Sequence, residues 1–190
     1  MTASQVDMRQ VKGTQIAQME GSVKRISDMK YLYPLMDDET RFWIAQEVAS
    51  TKYTADVRPL LANGNQKVGR PPKFLITDGA PNFHEAYMKE LRTNRYGSPV
   101  YIQEIRMDGK IHNNKMERMN GEIRDRERIV RGLKREDSPL LTGLQIYHNY
   151  IRPHMGLKGK TPAECAGIKV EGTDKWLTLI QRASQMKRAC

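Results

Sequence analysis

The stretch Phe74-Leu75-Ile76-Thr77-Asp78-Gly79 decides the fold, because its short apolar run predicts a buried strand that ends in an acidic turn. A second carboxylate, Glu117, opens a long and strongly basic helical segment. Metal-assisted phosphoryl transfer on nucleic acid needs such a pair, since hard cations take oxygen ligands and the polyanionic substrate needs Lys and Arg nearby. A lone Asp or Glu is more often a solvated surface charge than a metal ligand, so the assignment depends on the flanking residues.

The residues around these two acids form recognisable motifs. They are Ile76-Thr77-Asp78-Gly79-Ala80-Pro81-Asn82-Phe83, Asn113-Asn114-Lys115-Met116-Glu117-Arg118, and Tyr147-His148-Asn149-Tyr150-Ile151-Arg152-Pro153-His154-Met155-Gly156-Leu157 followed by Lys160-Thr161-Pro162-Ala163-Glu164. In this order they resemble the second-aspartate motif, the third-acid motif and the C-terminal signature of DDE transposases of insertion sequences and of retroviral-type integrases. Thirty-eight residues separate Asp78 from Glu117, slightly more than is usual in that family.

The resemblance implies an α/β fold, in which a ribonuclease H-like mixed sheet is flanked by helices, and a function in DNA transposition or integration. Phosphodiester cleavage and strand transfer would depend on two Mg²⁺ ions, or on Mn²⁺ in their place, held by Asp78, Glu117 and a further aspartate. The implied partners are DNA, as transposon ends and target, and further copies of the same chain, which would form a homo-oligomer. His112 and Asn114, in the turn before the glutamate, would lie close to the substrate.

The first aspartate of the resembled family has no clear counterpart. The family places it mid-strand, before the hairpin that here runs from Lys30 to Val48. Asp7, with apolar neighbours on both sides, is one candidate for this catalytic acid and metal ligand, on the polar face of an opening strand. A gapless match would put the acid near Glu20, and a chain with no competent first acid is the third alternative. If Asp7 is the acid, we expect it on the strand beside the one that ends in Asp78.

Composition narrows the class of protein. The chain has 190 residues, a formal net charge of +10 and a pI near 9.7, which indicate one domain with a polyanionic partner. No apolar stretch approaches the roughly 20 residues of a membrane-spanning helix, and no signal peptide pattern opens the chain. The cysteines Cys165 and Cys190 form no metal-binding spacing with the histidines. These features predict an intracellular protein with no membrane partner, and the resemblance to insertion-sequence transposases implies a prokaryotic cytoplasm.

Hydrophobic patterns predict a hairpin followed by alternating strands and helices, which implies a mixed sheet. The predicted strands are 30–36, 41–48, 73–77 and 100–106, and the predicted helices are 55–62, 82–92, 114–135, 139–150 and 174–187. The cationic segment 63–72 is predicted to be a loop. Residues 1–28 resist assignment. We expect a catalytic core over 1–168 and a helical extension over 169–190, with no separate DNA-reading module ahead of residue 30.

On a helix over 114–135, Glu117 shares one stripe with Gly121 and four arginines. Apolar side chains cluster roughly 130° away and should face the sheet: Met116, Met119, Ile123 and Val130. The arginines would contact phosphates along a DNA backbone that passes the metal. The alternative is a solvated face held by intrahelical ion pairs, worth roughly 0.2–0.5 kcal/mol each. The candidate DNA-binding residues are Lys115, Arg118, Arg124, Arg128, Arg131, Arg135, Asn114 and His112.

Other signals carry less weight. His148 and His154 are poor candidates for a Mg²⁺ site, because Mg²⁺ prefers oxygen to imidazole, so we expect them to pack or to contact a DNA end. The acidic run Asp37-Asp38-Glu39 predicts a surface turn. Two rival functions stay open: a catalytically inactive or truncated DNA-binding remnant of a transposase that lacks one metal ligand, and a nuclease that uses the ribonuclease H-like fold on RNA.

Overall fold

A computed structural model describes residues 14–16, 19–20, 30–92, 97–103, 114–130 and 138–188. These residues form one mixed sheet from the strands β1 Thr14–Ile16, β2 Met19–Glu20, β3 Tyr31–Asp37, β4 Trp43–Ala49, β5 Phe74–Thr77 and β6 Val100–Gln103. The helices are α1 Thr54–Val68, α2 Pro81–Glu90, α3 Asn114–Val130, α4 Pro139–Ile146, α5 Pro162–Cys165 and α6 Lys175–Arg188. In the described part of the chain, none of the helices combines the length and apolarity needed to cross a membrane. The predicted mixed sheet between helices is confirmed.

β3 is the central strand of the sheet. It pairs with β4 on one edge and with β1 and then β2 on the other, antiparallel in each case. One register runs through both short strands, since Gln15 pairs with Met36 and Glu20 pairs with Tyr31. β1 also pairs in parallel with β5, which pairs in parallel with β6. The spatial order is therefore β4, β3, then β1 with β2, then β5 and β6.

Two apolar cores lie on opposite faces of this sheet. Alternate residues of β3 enter different cores, because successive side chains of a strand point to opposite faces. Tyr33 and Leu35 join the core beneath α1 and α2, whereas Leu32 and Met36 join the core beneath α3 and α4. β3 is thus buried on both faces, and both helical layers are positioned against it.

Helix α1 is longer than the predicted helix over 55–62, and the predicted loop over 63–72 is wrong because its first six residues are helical. Tertiary packing explains the difference. Gly64 is buried against β3, where a Cβ atom would collide with the side chain of Leu35, so the helix approaches the sheet closely at this glycine. The helix ends at Gly69, whose φ of 75° is the left-handed conformation that closes many helices.

The C-terminal half follows its predictions more closely. α3 begins at Asn114 as predicted, and the predicted segment 131–135 lies outside the described residues. The predicted helix over 139–150 divides, because α4 passes into a π-helical turn over Tyr147–Ile151. α6 occupies the segment predicted near 174–187. The domain boundary after residue 168 stays a prediction.

The acidic turn after β3 differs from the predicted surface turn. Asp37 is fully buried, and its Oδ2 accepts a hydrogen bond from the N–H of Thr40 at 2.7 Å and another from the Thr40 hydroxyl. Glu39 is exposed, as predicted. The carboxylate of Asp37 therefore organises the turn from within. The turn leads into Arg41, which adopts a φ of 59°.

Glu127 is a buried acid on α3, and its ionisation should reduce stability. The residue is 5% exposed, and within the described residues its Oε1 has no hydrogen-bond partner. Burial raises the pKa of its carboxyl, against the opposing charge of Arg124. The folded state therefore loses stability as the pH rises through this raised pKa. We expect Glu127→Gln to increase the free energy of unfolding at about pH 7, and the increase to shrink at about pH 4.

Urea denaturation followed by circular dichroism at the two pH values measures this effect. Asp125→Asn is the matched control, because Asp125 is an exposed acid on the same helix and its replacement should change the free energy of unfolding by less than about 0.5 kcal/mol. A gain for Glu127→Gln that is equal at both pH values would show that ionisation is not the cause.

Candidate active site

The turn that follows β5 presents Asp78. The side chain is exposed, and its Oδ1 accepts a hydrogen bond from the N–H of Ala80 at 3.1 Å, which is an Asx turn. Gly79 has a φ of 87°, and Gln103 donates a hydrogen bond to its carbonyl at 3.0 Å. A side chain at position 79 would strain the backbone and collide with Gln103, so glycine is required there. Within the described residues Asp78 forms no salt bridge, which leaves its carboxylate free to bind a ligand.

Two tyrosines respond to the charge of Asp78. Burial raises the pKa of Tyr101, the hydrogen bond between its hydroxyl and Thr77 at 2.7 Å opposes the rise, and Asp78 adds to it. Burial likewise raises the pKa of Tyr33, and nearby acidic groups, Asp78 among them, add to the rise. Asp78 therefore lies close enough to residues of β3 and β6 to act on both.

Glu117 lies in the first turn of α3, on the face that the helical projection predicts. It is exposed, as are Arg124 and Arg128 on the same stripe. Arg128 lies 3.8 Å from Asp125, and such an exposed pair contributes little. An acid in the first turn also suits the positive end of the helix dipole. The opposite face packs into the core beneath the helix as predicted, through Met116, Met119 and Ile123.

Strand register and core packing link the elements that carry the two acids. Met116, immediately before the glutamate, packs in the same core as Met36 of β3. Met36 pairs with Gln15 of β1, and Gln15 pairs with Ile76 of β5. Asp78 follows two residues after Ile76. The first turn of α3 and β5 are therefore connected through β3 and β1.

β1 lies between β3 and β5. Its residue Gln15, which pairs with both Met36 and Ile76, is an amide. The described residues of β1 are Thr14–Ile16, and none of them is acidic. Gln15, through its pairing with Ile76, lies about 8 Å from Asp78 by strand geometry, Cα to Cα. This is the strand on which a first acid beside Asp78 was expected.

Neither of the two residues predicted as the first acid, Asp7 and Glu20, lies in the described part of β1. Asp7 falls outside the described residues, so its catalytic and metal-binding role stays a prediction. Glu20 lies in β2, where it pairs with Tyr31. That pair is five register positions from the pair formed by Gln15, which is about 16 Å along the strand. Asp78 lies two positions beyond Ile76 in the same direction, so about three register positions, roughly 10 Å along the strand, separate Glu20 from the level of Asp78.

Asp78 and Glu117 offer the ligand chemistry that Mg²⁺ requires. Mg²⁺ is usually held by one or two carboxylates, while water and substrate phosphates complete its octahedral shell. The described part of the chain contains no group of three His, Cys, Asp or Glu side chains that could enclose a metal ion. The two acids therefore fit an ion whose shell is completed by the substrate or by a further acid.

The other predicted DNA-binding residues have different surroundings. Asn114 and Arg118 are exposed beside Glu117. Lys115 donates hydrogen bonds to the carbonyl and the carboxylate of Asp38, each at 2.9 Å, and so ties the start of α3 to the turn between β3 and β4. Three predicted residues lie outside the described residues: His112, Arg131 and Arg135.

Asn120 was not among the site residues predicted from the sequence. This residue lies one turn after Glu117 on α3 and is fully buried, and within the described residues neither atom of its amide has a hydrogen-bond partner. A buried unpaired amide is unfavourable for stability. Its signal in the sequence is a polar residue between the apolar positions Met119 and Ile123. Asn120 therefore joins the candidate residues of the site.

The C-terminal motif packs against the start of β4. Buried Asn149 accepts a hydrogen bond from the N–H of Trp43 at 2.8 Å and donates one to its carbonyl at 2.9 Å. His148 Nε2 lies 2.9 Å from the carbonyl oxygen of Arg41, and its ring packs on that of His154 with 4.6 Å between centroids. Burial lowers the pKa of His148 to about 4, so its ring is neutral at neutral pH. The motif therefore fixes the backbone at Arg41 and Trp43, and its histidines pack there, which is one of the two roles expected for them.

Solved structures share this fold. A chain of the cryo-EM structure of the simian T-cell lymphotropic virus intasome in complex with PP2A regulatory subunit B56 gamma has a TM-score of 0.62 at 14% identity, and the match covers 84% of this chain but 55% of that one. The HTLV-2 integrase catalytic core domain in complex with magnesium has a TM-score of 0.56 at 14% identity in its trimeric form, with 82% and 96% covered. Its dimeric form has a TM-score of 0.55 at 13% identity, with 82% and 94% covered. The fold is therefore the ribonuclease H-like fold of integrase catalytic cores, as predicted.

Sequence comparison identifies the family. No curated protein matches this chain. A family model for the DDE domain of IS240-type transposases matches residues 17–154, which is more than half of the chain and includes Asp78 and Glu117. The chain belongs to the DDE-domain family of IS240-type transposases.

Proposed function

We propose that this chain is the catalytic core of an enzyme that moves DNA by metal-dependent phosphodiester cleavage followed by strand transfer. The observation that carries the proposal is a pair of exposed carboxylates within the family match, Asp78 after β5 and Glu117 in the first turn of α3. The net charge of +10 suits a polyanionic substrate, and membership in the DDE family supports the same chemistry. The substrates would be transposon ends and target DNA.

Asp78 and Glu117 would hold two Mg²⁺ ions, or Mn²⁺, together with a third acid. The HTLV-2 integrase core, which shares the fold, is known in complex with magnesium. A metal bound there would stabilise the attacking and leaving oxygens of an in-line displacement. The chain itself supplies position: the turn at Gly79 holds one carboxylate, and the packing of α3 on the sheet holds the other. Such reactions depend mainly on positioning and charge.

Self-association and cellular location belong to the same proposal. The HTLV-2 cores occur in trimeric and dimeric forms, which supports a homo-oligomer for this chain. A prokaryotic cytoplasmic location would suit an enzyme whose substrate is DNA.

Removal of either carboxylate should abolish the reaction. We expect Asp78→Asn and Glu117→Gln each to reduce strand cleavage and joining by more than the roughly 10- to 100-fold lost when an outer-shell partner of a metal site is removed. The amide keeps the shape of the side chain but loses the charge that binds Mg²⁺. A strand-transfer assay on an oligonucleotide with the element's terminal sequence and Mg²⁺ measures the loss.

Asp125→Asn is the control for this experiment, since it removes an exposed carboxylate from the same helix. It should retain the activity of the unaltered chain. Near-normal turnover of Asp78→Asn or Glu117→Gln would remove that residue from the site. Cleavage of an RNA–DNA hybrid without any joining of DNA would instead assign the chain as a nuclease.

Arg124 and Arg128 should contact DNA phosphates beside Glu117. Replacing both with alanine should flatten the slope of log affinity against log salt concentration by about 2, because each phosphate contact releases counterions. Fluorescence anisotropy with duplexes of unrelated sequence, at several KCl concentrations, measures the slope. The control is Lys89→Ala with Arg92→Ala, exposed cations beyond the opposite face of the sheet. An unchanged slope for the α3 variant would mean that this face does not meet DNA.

A catalytically inactive, DNA-binding core is the second candidate function, and one observation favours it. β1 carries Gln15 at the position that pairs with Ile76, and none of the described residues of β1 is acidic. A neutral amide oxygen attracts Mg²⁺ less than a carboxylate does. Such a chain would keep the fold and the charge and would bind DNA without cutting it.

A carboxylate introduced at position 15 distinguishes an active catalytic core from an inactive DNA-binding core. We expect Gln15→Asp to raise Mg²⁺-dependent cleavage by more than about 10-fold, since the backbone there lies about 8 Å from that of Asp78. Thr14→Asp, one residue earlier on the other side of the pleat, is the control and should give no gain. If the unaltered chain is fully active and Asp7→Asn abolishes that activity, Asp7 is the first acid and position 15 is not a ligand.

A further inference from the structure

A cavity of about 320 Å³ opens beside the first turns of α3. It lies on a different flank of the helix from the acids: positions 115, 118 and 122 face it, roughly 130° around the helix axis from Glu117. We call it the Arg41 cavity. Its charged and polar walls include Arg41, Lys115, Arg118, Glu122, His148 and His154.

Arg41 is held in the cavity by its backbone and by a glycine. Its φ of 59° is rare for a residue with a side chain, and its carbonyl is fixed by His148 Nε2 at 2.9 Å. Its guanidinium lies directly over Gly156, where a Cβ atom would be 2.6 Å from Nη1 and 2.7 Å from Cζ. A side chain at position 156 would therefore displace the guanidinium of Arg41 from this position. The fold maintains an unusual backbone conformation and a close contact to place one arginine.

The charges around the cavity do not cancel. Lys115 is paired with Asp38 at 2.9 Å, and Glu122 is paired with Arg152. Arg41 and Arg118, in contrast, form no salt bridge with any carboxylate within the described residues. Two guanidinium groups therefore present unpaired positive charge to the same cavity. Because Arg41 is only partly exposed, its charge is less screened by water than that of a surface arginine.

His154 adds a second unpaired group. Its Nε2 is buried and, within the described residues, has no hydrogen-bond partner. Burial lowers the pKa of its ring, so the site without a ligand keeps it neutral. An anion beside the ring would favour the protonated form, in which both nitrogens donate hydrogen bonds. The cavity is thus electropositive and has unused hydrogen-bonding capacity.

We infer that the Arg41 cavity binds a backbone phosphate of the DNA, as a second contact on the flank of α3 away from the acids. Guanidinium groups bind phosphate oxygens in a bidentate geometry, and the cavity is large enough for a phosphodiester. This inference rests on the proposed function, which supplies DNA as the partner. A phosphate held here would set the direction in which the duplex crosses α3, since the stripe beside Glu117 supplies the other contact.

DNA binding without metal tests the inference apart from catalysis. In EDTA, we expect Arg41→Gln and, separately, Arg118→Gln to lower duplex affinity for every sequence and to reduce the salt slope by about 1 each. Arg118 is exposed, so its variant serves where loss of Arg41 disturbs the fold. Arg92→Gln, on an exposed position beyond the opposite face of the sheet, is the matched control and should keep the wild-type slope. Wild-type slopes for both cavity variants would overturn the inference.

A second measurement separates a DNA phosphate from free phosphate. The imidazole resonances of His154 should shift on addition of duplex to wild type, and the shift should be lost in Arg41→Gln. A shift with inorganic phosphate and none with duplex would overturn the assignment to DNA. A chain that fails to cleave DNA yet shows the Arg41 effect in EDTA would support the inference while counting against the catalytic proposal. A chain that binds no duplex at all would overturn both.

Discussion

The burial of β3 on both faces is the constraint on which the rest of the structure depends. Its residues alternate between the core beneath α1 and α2 and the core beneath α3 and α4, so the two helical layers are positioned by one strand. The same strand sets the register of β1, and β1 in turn sets the register of β5. A slip of one residue would exchange the two faces of a strand and shift the residue that follows it. The geometry of the site is therefore a consequence of strand pairing.

The C-terminal motif stabilises the turn between β3 and β4 and the start of β4. Asn149 satisfies both backbone groups of Trp43 at the start of β4, and His148 holds the carbonyl of Arg41. Paired hydrogen bonds to buried backbone groups stabilise the fold because an unpaired buried donor or acceptor would be costly. The motif thus connects the turn between β3 and β4 with the helix that follows α3. It also determines where Arg41 is placed.

α3 divides its surroundings into three environments, and each has its own physical role. Met116 and its apolar neighbours bury one face in the core. The exposed stripe of Glu117 combines one acid with arginines, which suits a metal and a phosphate backbone together. The remaining flank lines the Arg41 cavity. One helix therefore carries residues proposed for metal binding, residues proposed for DNA contact and residues of the apolar core. Two polar residues, Asn120 and Glu127, are also buried along it.

The sequence by itself determined the mixed sheet, the strand that ends in Asp78, the helix that begins before Glu117 and the separation of its apolar and charged faces. These features follow from the spacing of apolar and polar side chains within each segment, which indicates its secondary structure and its buried face. Only the tertiary structure decided that α1 continues past Gly64, that Asp37 is buried and that Lys115 pairs with Asp38, because each depends on contacts between distant segments. It also decided that Gln15 is the neighbour of Ile76, since the partners of a strand are chosen by register and burial rather than by its own residues.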